Sequence, residues 1–236
     1  MLLYYITDRK SLAGTDAQQR NRLLVRIGEA ARAGVDYIQL REKDLAARDL
    51  ERLARDAVRA TRENSVTTKL LVNGRADVAL ASRADGVHLP AGELDPSEVR
   101  ALWIRASDRE PMIAVSAHTL AEVRAAAAQG ASFAVLAPIY EKAHTNVQGI
   151  GIDALRVACA ASTPPDNTDS PPQRCFAVLA LGGVTLANAE ACLAAGAAGV
   201  AGIRLFQMGD IVETVRRLRE LEHRDPRNKL TTDRHG

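Results

Sequence analysis

The sequence is organised around one stretch, Met112-Ile113-Ala114-Val115-Ser116-Ala117-His118-Thr119-Leu120. Its apolar first half predicts a buried β-strand over Met112–Ser116, and the periodicity predicts a helix that begins at Leu120. In a parallel α/β protein, side chains at the carboxyl ends of the strands face the ligand crevice. A histidine there can accept and return a proton, because its unperturbed pKa lies close to neutrality. His118 is therefore a candidate acid–base residue, although its position alone slightly favours a helix cap or a loop hydrogen bond.

The rest of the chain repeats this strand–helix pattern. Apolar runs alternate with helical periodicity through eight units, which begin with Leu2–Ile6 and end with Gly199–Ile203 and the helix Ile211–Glu222. A chain of 236 residues suits a single α/β barrel of about 250 residues. A doubly wound sheet is the alternative, but Thr7-Asp8-Arg9-Lys10 lacks the glycine-rich fingerprint expected after its first strand. The pattern predicts an α/β fold, a single closed (β/α)8 TIM barrel.

Three segments describe the expected domain organisation. Residues 1–222 form the barrel, and Ser162–Gln173, rich in Pro, Asp, Ser and Thr, is predicted to be a surface insertion within it. The remaining residues, His223–Gly236, are polar and are predicted to form a disordered tail.

The composition argues against several classes of partner. The formal net charge is only +2, and no basic stripe is interleaved with aromatic residues, so we expect no nucleic-acid partner. No apolar run approaches the roughly 20 residues of a membrane helix. Cys159, Cys175 and Cys192 are far apart without metal-ligand spacing, which predicts small core residues of a cytoplasmic protein. The sequence leaves open whether copies of the chain form a homo-oligomer.

A charged motif follows the second predicted strand. Arg41-Glu42-Lys43-Asp44 comes directly after Ile38-Gln39-Leu40. A run of mixed charge is most often a self-neutralised, solvated loop. Strand alternation would instead place Gln39, Arg41 and Lys43 on one side, where their hydrogen-bond donors can meet an anionic substrate. With two further polar residues at strand ends, the predicted substrate-binding residues are Gln39, Arg41, Lys43, Asn73 and Ser116.

Glycine-rich segments follow the last two strands. These are Leu181-Gly182-Gly183-Val184-Thr185 and Gly199-Val200-Ala201-Gly202. Barrels often bind phosphate at this place through backbone amides, and an arginine can add a fork of donors. Glycines that only make tight turns are the alternative. The predicted phosphate-binding residues are Gly182, Gly183, Gly202, Ile203 and Arg204.

These motifs together resemble a known superfamily. Gln39-Leu40-Arg41-Glu42-Lys43-Asp44 is similar to the signature of the thiamine phosphate synthase and thiazole tautomerase superfamily. Three further segments fall in the expected order: Ala84-Asp85-Gly86-Val87-His88-Leu89, Ser116-Ala117-His118 and Leu181-Gly182-Gly183-Val184. The resemblance covers Leu3 to Phe206. It implies the barrel fold, a part in thiamine biosynthesis, and a small thiazole phosphate as the bound partner.

Three loops depart from the synthase branch, whose members join a pyrimidine diphosphate to thiazole phosphate and need magnesium. The Asn-Asp motif of that branch is Asn73-Gly74 here, and its Gly-Gln-x-Asp motif is Pro90-Ala91-Gly92-Glu93. Its Pro-Thr-x-Thr-Lys loop is Glu141-Lys142-Ala143-His144-Thr145. Because Mg²⁺ is usually held by one or two carboxylates, these departures imply a weakened metal site.

The same positions resemble the tautomerase branch, in which the histidine at the position of His118 is the general acid/base. The resemblance therefore favours a thiazole tautomerase, an isomerase that moves a proton on a carboxylated thiazole phosphate to give the aromatic thiazole. Its catalytic residue would be His118, and it would need no metal cofactor. Arg41-Glu42-Lys43-Asp44 keeps the synthase-like form. The alternatives are a magnesium-dependent thiamine phosphate synthase and a non-catalytic barrel that binds a thiamine precursor.

Overall fold

A computed structural model describes residues 1–141, 148–162 and 175–224. Within these ranges, parallel strands pair in the order of the sequence, and the last pairs with the first to close a barrel. The strands are β1 Leu2–Ile6, β2 Tyr37–Leu40, β3 Lys69–Asn73, β4 Gly86–Leu89, β5 Met112–Ala117, β6 Phe133–Leu136, β7 Ala177–Ala180 and β8 Gly199–Gly202. The predicted (β/α)8 TIM barrel is confirmed.

Helices alternate with the strands around the outside of this barrel. They are α1 Asp16–Ala33, α2 Ala47–Asn64, α3 Ala76–Ala81, α4 Pro96–Ala106, α5 Leu120–Ala128, α6 Gly151–Ala161, α7 Ala189–Ala194, α8 Arg204–Gln207 and α9 Ile211–Arg224. The sequence did not predict α8, since a single turn carries no periodicity, nor the 3-10 helix Arg9–Ser11. In the described part of the chain, no helix is long and apolar enough to cross a membrane.

Only part of the predicted insertion and of the predicted tail lies within the described residues. Ser162 ends α6, and its carbonyl accepts a hydrogen bond from the amide of Phe176. The rest of the predicted insertion and residues 225–236 of the predicted tail lie outside the described residues. The helix α9 continues through Arg224, two residues beyond the predicted end of the barrel.

The prediction of core cysteines holds for Cys159 and Cys192 but is wrong for Cys175, which is exposed.

A capping box fixes the point where β5 gives way to α5. The Thr119 hydroxyl accepts from the amide of Glu122 at 3.2 Å, and the Glu122 carboxylate accepts from the amide of Thr119 at 3.1 Å. This reciprocal pair satisfies two amides that the first helical turn leaves without partners. His118 is consequently held at the junction between strand and helix, at the mouth of the barrel.

The inside of the barrel changes from apolar to polar along the strands. The interior cluster is Tyr4, Ile6, Leu71, Ala114, Phe133, Val135, Leu179 and Ala201. Towards the carboxyl ends of β2 to β5, the side chains become Gln39, Asn73, His88 and Ser116. Because alternate side chains on a strand face the same side, one or two positions per strand suffice for this change. The barrel therefore has a packed base and a polar mouth.

The buried side chain of Arg9 joins the loops that follow β1 and β2. Its guanidinium donates to the Glu42 carboxylate at 3.0 Å and to both oxygens of Asp44 at 2.6 and 2.7 Å. Thr7 donates from Oγ1 to Glu42 at 2.6 Å and accepts from the amide of Arg41 at 3.0 Å. Arg9 holds the pKa of the Asp44 carboxyl well below its usual range. For Glu42, burial raises the pKa, while hydrogen bonds from Thr7 and Arg9 oppose that rise.

Replacing Arg9 by Met should destabilise the barrel strongly. The substitution leaves the buried Glu42 carboxylate without its cation, and breaking a buried ion pair from one side costs about 3–5 kcal/mol. Urea unfolding at pH 7 measures the loss. The matched control is Arg55→Met, which removes an exposed pair with Glu51 on α2 and should cost about 0.5 kcal/mol or less. Equal losses for the two variants would contradict the role given to Arg9.

The stability of the barrel should fall below pH 7 because of His88. Burial, with a smaller contribution from Arg41, lowers the pKa of this histidine to about 3. The unfolded chain binds a proton near pH 6.5 while the folded chain stays neutral, so acid favours unfolding. The free energy of unfolding should drop by about 2 kcal/mol between pH 7 and pH 5 through this group alone. Urea titrations of the wild type and of His88→Asn test this, and equal pH slopes for the two would show the assignment to be wrong.

Candidate active site

Four polar side chains form an arc at the mouth of the barrel. Nε2 of Gln39 donates to Oδ1 of Asn73 at 3.0 Å, and Nε2 of His88 lies 2.8 Å from Oγ of Ser116. Asn73 and His88 are register partners on β3 and β4. The structure thus brings together three of the predicted substrate-binding residues, Gln39, Asn73 and Ser116, on neighbouring strands. His88 joins them, and its depressed pKa makes the arc uncharged near neutral pH.

Positive charge lies beside this arc on the loop after β2. Arg41 is half-buried and Lys43 is exposed, and neither side chain forms a hydrogen bond or ion pair with the described residues. Arg41 is close enough to His88 to lower the pKa of the imidazole. Since Arg9 already engages Glu42 and Asp44, the motif does not neutralise itself as such runs usually do. Two cations therefore remain available for an anionic ligand.

His118 is exposed at the end of β5, and its ring is oriented by a backbone carbonyl. Nδ1 lies 2.7 Å from the oxygen of Ala137, the residue that follows β6. A carbonyl oxygen only accepts, so Nδ1 carries the hydrogen and the neutral ring keeps a lone pair on Nε2. Its backbone amide donates to Glu122 at the start of α5. The position thus combines the helix-start contact and the loop hydrogen bond expected of a structural histidine with a ring nitrogen that has no partner among the described residues.

The predicted phosphate-binding residues meet at the ends of β7 and β8. Gly182 and Gly183 follow β7 with φ angles of 94° and 65°, which disfavour residues with a Cβ. A Cβ on Gly183 would lie 2.6 Å from Cβ of Tyr140. The amides of Gly182, Gly183 and Ile203 donate no hydrogen bond within the described residues. Unpaired amides on two adjacent strand ends are suited to an anion.

The other two residues of that prediction lie at the same place. Gly202 is the buried last residue of β8, and Arg204 is the exposed first residue of α8. The Arg204 guanidinium has no hydrogen bond or ion pair with any described residue. Since α8 is a single turn, an anion at this place would be held by the free amides and the arginine rather than by a helix dipole.

A single carboxylate lies where the resemblance places a magnesium site. A Cβ added to Gly74 would lie 3.7 Å from Oε2 of Glu93, so the longer glutamate reaches the space that an aspartate at position 74 would enter. Among the described residues, no group of three acidic, histidine or cysteine side chains is placed to hold a metal. Mg²⁺ is often bound by one or two protein carboxylates together with substrate phosphates and water. Glu93 meets the lower limit of that requirement.

Glu93 and Ser116 also line one cleft of about 310 Å³ between the loop after β4 and α5. The cleft connects the candidate carboxylate with the polar arc. Of the third loop that departs from the synthase pattern, Glu141 is described and the following residues to Thr145 are outside the described part.

Two residues of this region could not have been assigned from the sequence. Arg9 contacts carboxylates 33 and 35 residues further along the chain, and Tyr4 contacts His88 across 84 residues. These contacts form only when the barrel closes, so no local sequence pattern predicts them. The one available signal is that Tyr4 alternates with Ile6 on the first strand, which places its hydroxyl inside the barrel.

Comparisons with known proteins agree on one family. Residues 3–206 match the family described as thiamine monophosphate synthase. A putative thiamine-phosphate synthase of Geobacter sulfurreducens is 42% identical over 197 residues, covering 83% of this chain and 81% of the relative. Putative thiamine-phosphate synthase 2 of Aquifex aeolicus is 35% identical over 83% of this chain and 91% of the relative.

Solved structures support the fold. Thiamine phosphate pyrophosphorylase from Pyrococcus furiosus superposes with a TM-score of 0.73 at 24% identity, covering 94% of this chain and 96% of that one. A 3-hexulose-6-phosphate synthase gives a TM-score of 0.64 at 18% identity, covering 94% of this chain and 99% of the other. At these identities the likeness concerns the barrel alone.

The relatives overturn the prediction of an isomerase. They are named thiamine-phosphate synthases, which are transferases, and further relatives of that name from Solidesulfovibrio magneticus and Roseiflexus are 37% and 34% identical. Each of the three loop departures affects a few side chains at the mouth, whereas the match spans the barrel. The chain belongs to the thiamine monophosphate synthase family.

Proposed function

We propose that this protein is a thiamine-phosphate synthase, a transferase that joins hydroxymethylpyrimidine diphosphate to thiazole phosphate in thiamine biosynthesis. The names of its relatives support this activity. The observation within the site that carries it is the presence of two separate groups suited to anions at the mouth. Arg41 and Lys43 form one group after β2, and the free amides with Arg204 form the other after β7 and β8.

Two phosphorylated substrates require two such groups. The strand β1 separates β2 from β8 in the barrel, so an anion on one group leaves the other available. An isomerase acting on a carboxylated thiazole phosphate would instead bring a carboxylate and a phosphate on one small ring, whereas the transferase brings a diphosphate and a phosphate on two molecules. Beside the first group, on β2 to β5, lies the uncharged arc of Gln39, Asn73, His88 and Ser116, which offers hydrogen bonds to a heterocyclic ring without adding charge.

The transfer makes limited demands on the protein. Diphosphate leaves the pyrimidine as the bond to the thiazole forms, and no proton has to be removed from carbon. A proton-transfer role for His118 is therefore not part of the proposal. Glu93 would hold Mg²⁺ together with substrate phosphates, and the ion would neutralise charge on the departing diphosphate. A cytoplasmic location stays a prediction, and the proposal assigns no oligomeric state.

Purified protein should convert the two substrates to thiamine phosphate with release of diphosphate when Mg²⁺ is present. EDTA should abolish the reaction. Glu93→Gln should raise the Mg²⁺ concentration for half-maximal rate by at least about tenfold, as losses near a metal typically do. The control is Glu98→Gln, an exposed glutamate of α4 outside the cleft. Binding of both substrates without turnover would identify a non-catalytic barrel, and full activity in EDTA would rule out the metal.

Gly183→Ala should weaken the binding of thiazole phosphate. The added Cβ is too close to Tyr140 and moves the amides that face the anion. Losing hydrogen bonds to a charged group should raise the Kd for thiazole phosphate about tenfold or more. Gly209→Ala is the matched control, because Gly209 has a similar φ of 68° but no atom within 4 Å of an added Cβ. Titration calorimetry measures both, and an unchanged Kd in Gly183→Ala would show that the phosphate binds elsewhere.

A further inference from the structure

Three hydrogen-bonded side chains lead from the barrel interior to its mouth. The Tyr4 hydroxyl lies 3.0 Å from Nδ1 of His88, and Nε2 of the same ring lies 2.8 Å from Oγ of Ser116. Tyr4 and His88 are 0% and 3% exposed, whereas Ser116 is half-buried and borders the cleft. Of the three, Ser116 is thus the one placed to meet a ligand.

The surroundings of Tyr4 determine where the hydrogens lie. Within the described residues, the Tyr4 hydroxyl has no acceptor other than His88. If Nδ1 carried a hydrogen, the buried phenolic hydrogen would be left without an acceptor, which is costly. Burial and the nearby Arg41 keep the ring neutral, so only one of its nitrogens is protonated. Tyr4 must therefore donate to Nδ1, and Nε2–H must donate to the oxygen of Ser116.

Ser116 is then left with its own hydrogen to donate. No described residue accepts a hydrogen bond from its hydroxyl. We propose that Tyr4 is a positioning residue which, through His88, leaves the Ser116 hydrogen free to donate into the mouth, so that this contact favours a ligand atom with a lone pair. With the opposite tautomer, Ser116 would donate to His88 and offer the ligand only its oxygen. The Tyr4 hydroxyl, which is too deeply buried to contact substrate, thus determines whether Ser116 can donate its hydrogen to the ligand.

The identity of the ligand atom rests on the proposed function. A pyrimidine ring nitrogen carries a lone pair and no hydrogen, so it fits a donor at Ser116. An exocyclic amino group or a protonated ring nitrogen could donate to the remaining lone pair of the hydroxyl oxygen, but it would leave the Ser116 hydrogen without an acceptor. On the proposed function, the lone pair that the Ser116 hydrogen meets is that of a ring nitrogen of the pyrimidine diphosphate, and the inference concerns the control of that hydrogen by Tyr4.

The arrangement of hydrogens can be measured without substrate. Protein labelled with ¹⁵N-histidine should show a protonated Nε2 and an unprotonated, hydrogen-bonded Nδ1 for His88, assigned by the loss of its signals in His88→Asn. Tyr4→Phe should move the Nδ1 resonance to the position of a nitrogen without a donor. Tyr5→Phe is the matched control, because it removes a buried hydroxyl from the next residue, whose partner is Gln207 at 2.8 Å. A protonated Nδ1 in the wild type, or an Nδ1 resonance unmoved in Tyr4→Phe, would overturn the proposal.

The polarity of Ser116 is tested with hydroxymethylpyrimidine diphosphate and its two pyridine analogues, in which one ring nitrogen is replaced by C–H. The wild type and Tyr5→Phe should bind one analogue about 3- to 10-fold more weakly, the usual effect of one neutral hydrogen bond. Ser116→Ala should remove that difference, and Tyr4→Phe should reduce it. Equal binding of all three compounds by the wild type would overturn the contact. Failure to bind any of them would instead refute the proposed function, and the NMR result would still decide the role of Tyr4.

Discussion

The burial of one guanidinium determines the shape and charge of the mouth. A buried cation is costly unless carboxylates surround it, so Arg9 can occupy its place only when Glu42 and Asp44 are brought to it. This requirement fixes the loop after β1 against the loop after β2. Because Arg9 engages both carboxylates of the second loop, Arg41 and Lys43 have no ion pair with the described residues. An ion cluster that serves the fold thereby leaves these two cations beside the polar arc, where the anionic substrates of the proposed function would be attracted.

The next layer inside the barrel contains a buried group that is neutral instead of charged. His88 is too deeply buried to carry charge, so it is neutral and its two nitrogens are used between Tyr4 and Ser116. The mouth consequently separates an uncharged arc at its floor from cations and free amides at its rim. That separation matches ligands composed of a neutral heterocycle and an anionic tail, because ring and phosphate make different demands on their surroundings.

The sequence predicted the barrel because strand and helix periodicities are local properties, repeated along the chain. It also placed the glycine exits, since the neighbourhood of β7 and β8 follows from the topology. It failed where contacts are non-local or elements too short. The turn α8 has too few residues to show a period, and Arg9 meets Glu42 only after β1 and β2 pair. The motif Arg41-Glu42-Lys43-Asp44 looks self-neutralised for the same reason: the residue that takes its carboxylates is distant in sequence.

The choice between isomerase and transferase failed for a different physical reason. Comparing loops one position at a time treats the aspartate absent at Gly74 as a carboxylate lost from the site. A glutamate has one more methylene than an aspartate, and Oε2 of Glu93 lies 3.7 Å from the point where a side chain at position 74 would begin. Loops at the mouth of a barrel converge on one volume, so a group absent from one can be supplied by its neighbour. The two groups suited to anions lie after β2 and after β7 and β8, outside the exchanged loops, and they fit the two phosphorylated substrates of the proposed transferase whichever loop supplies the carboxylate.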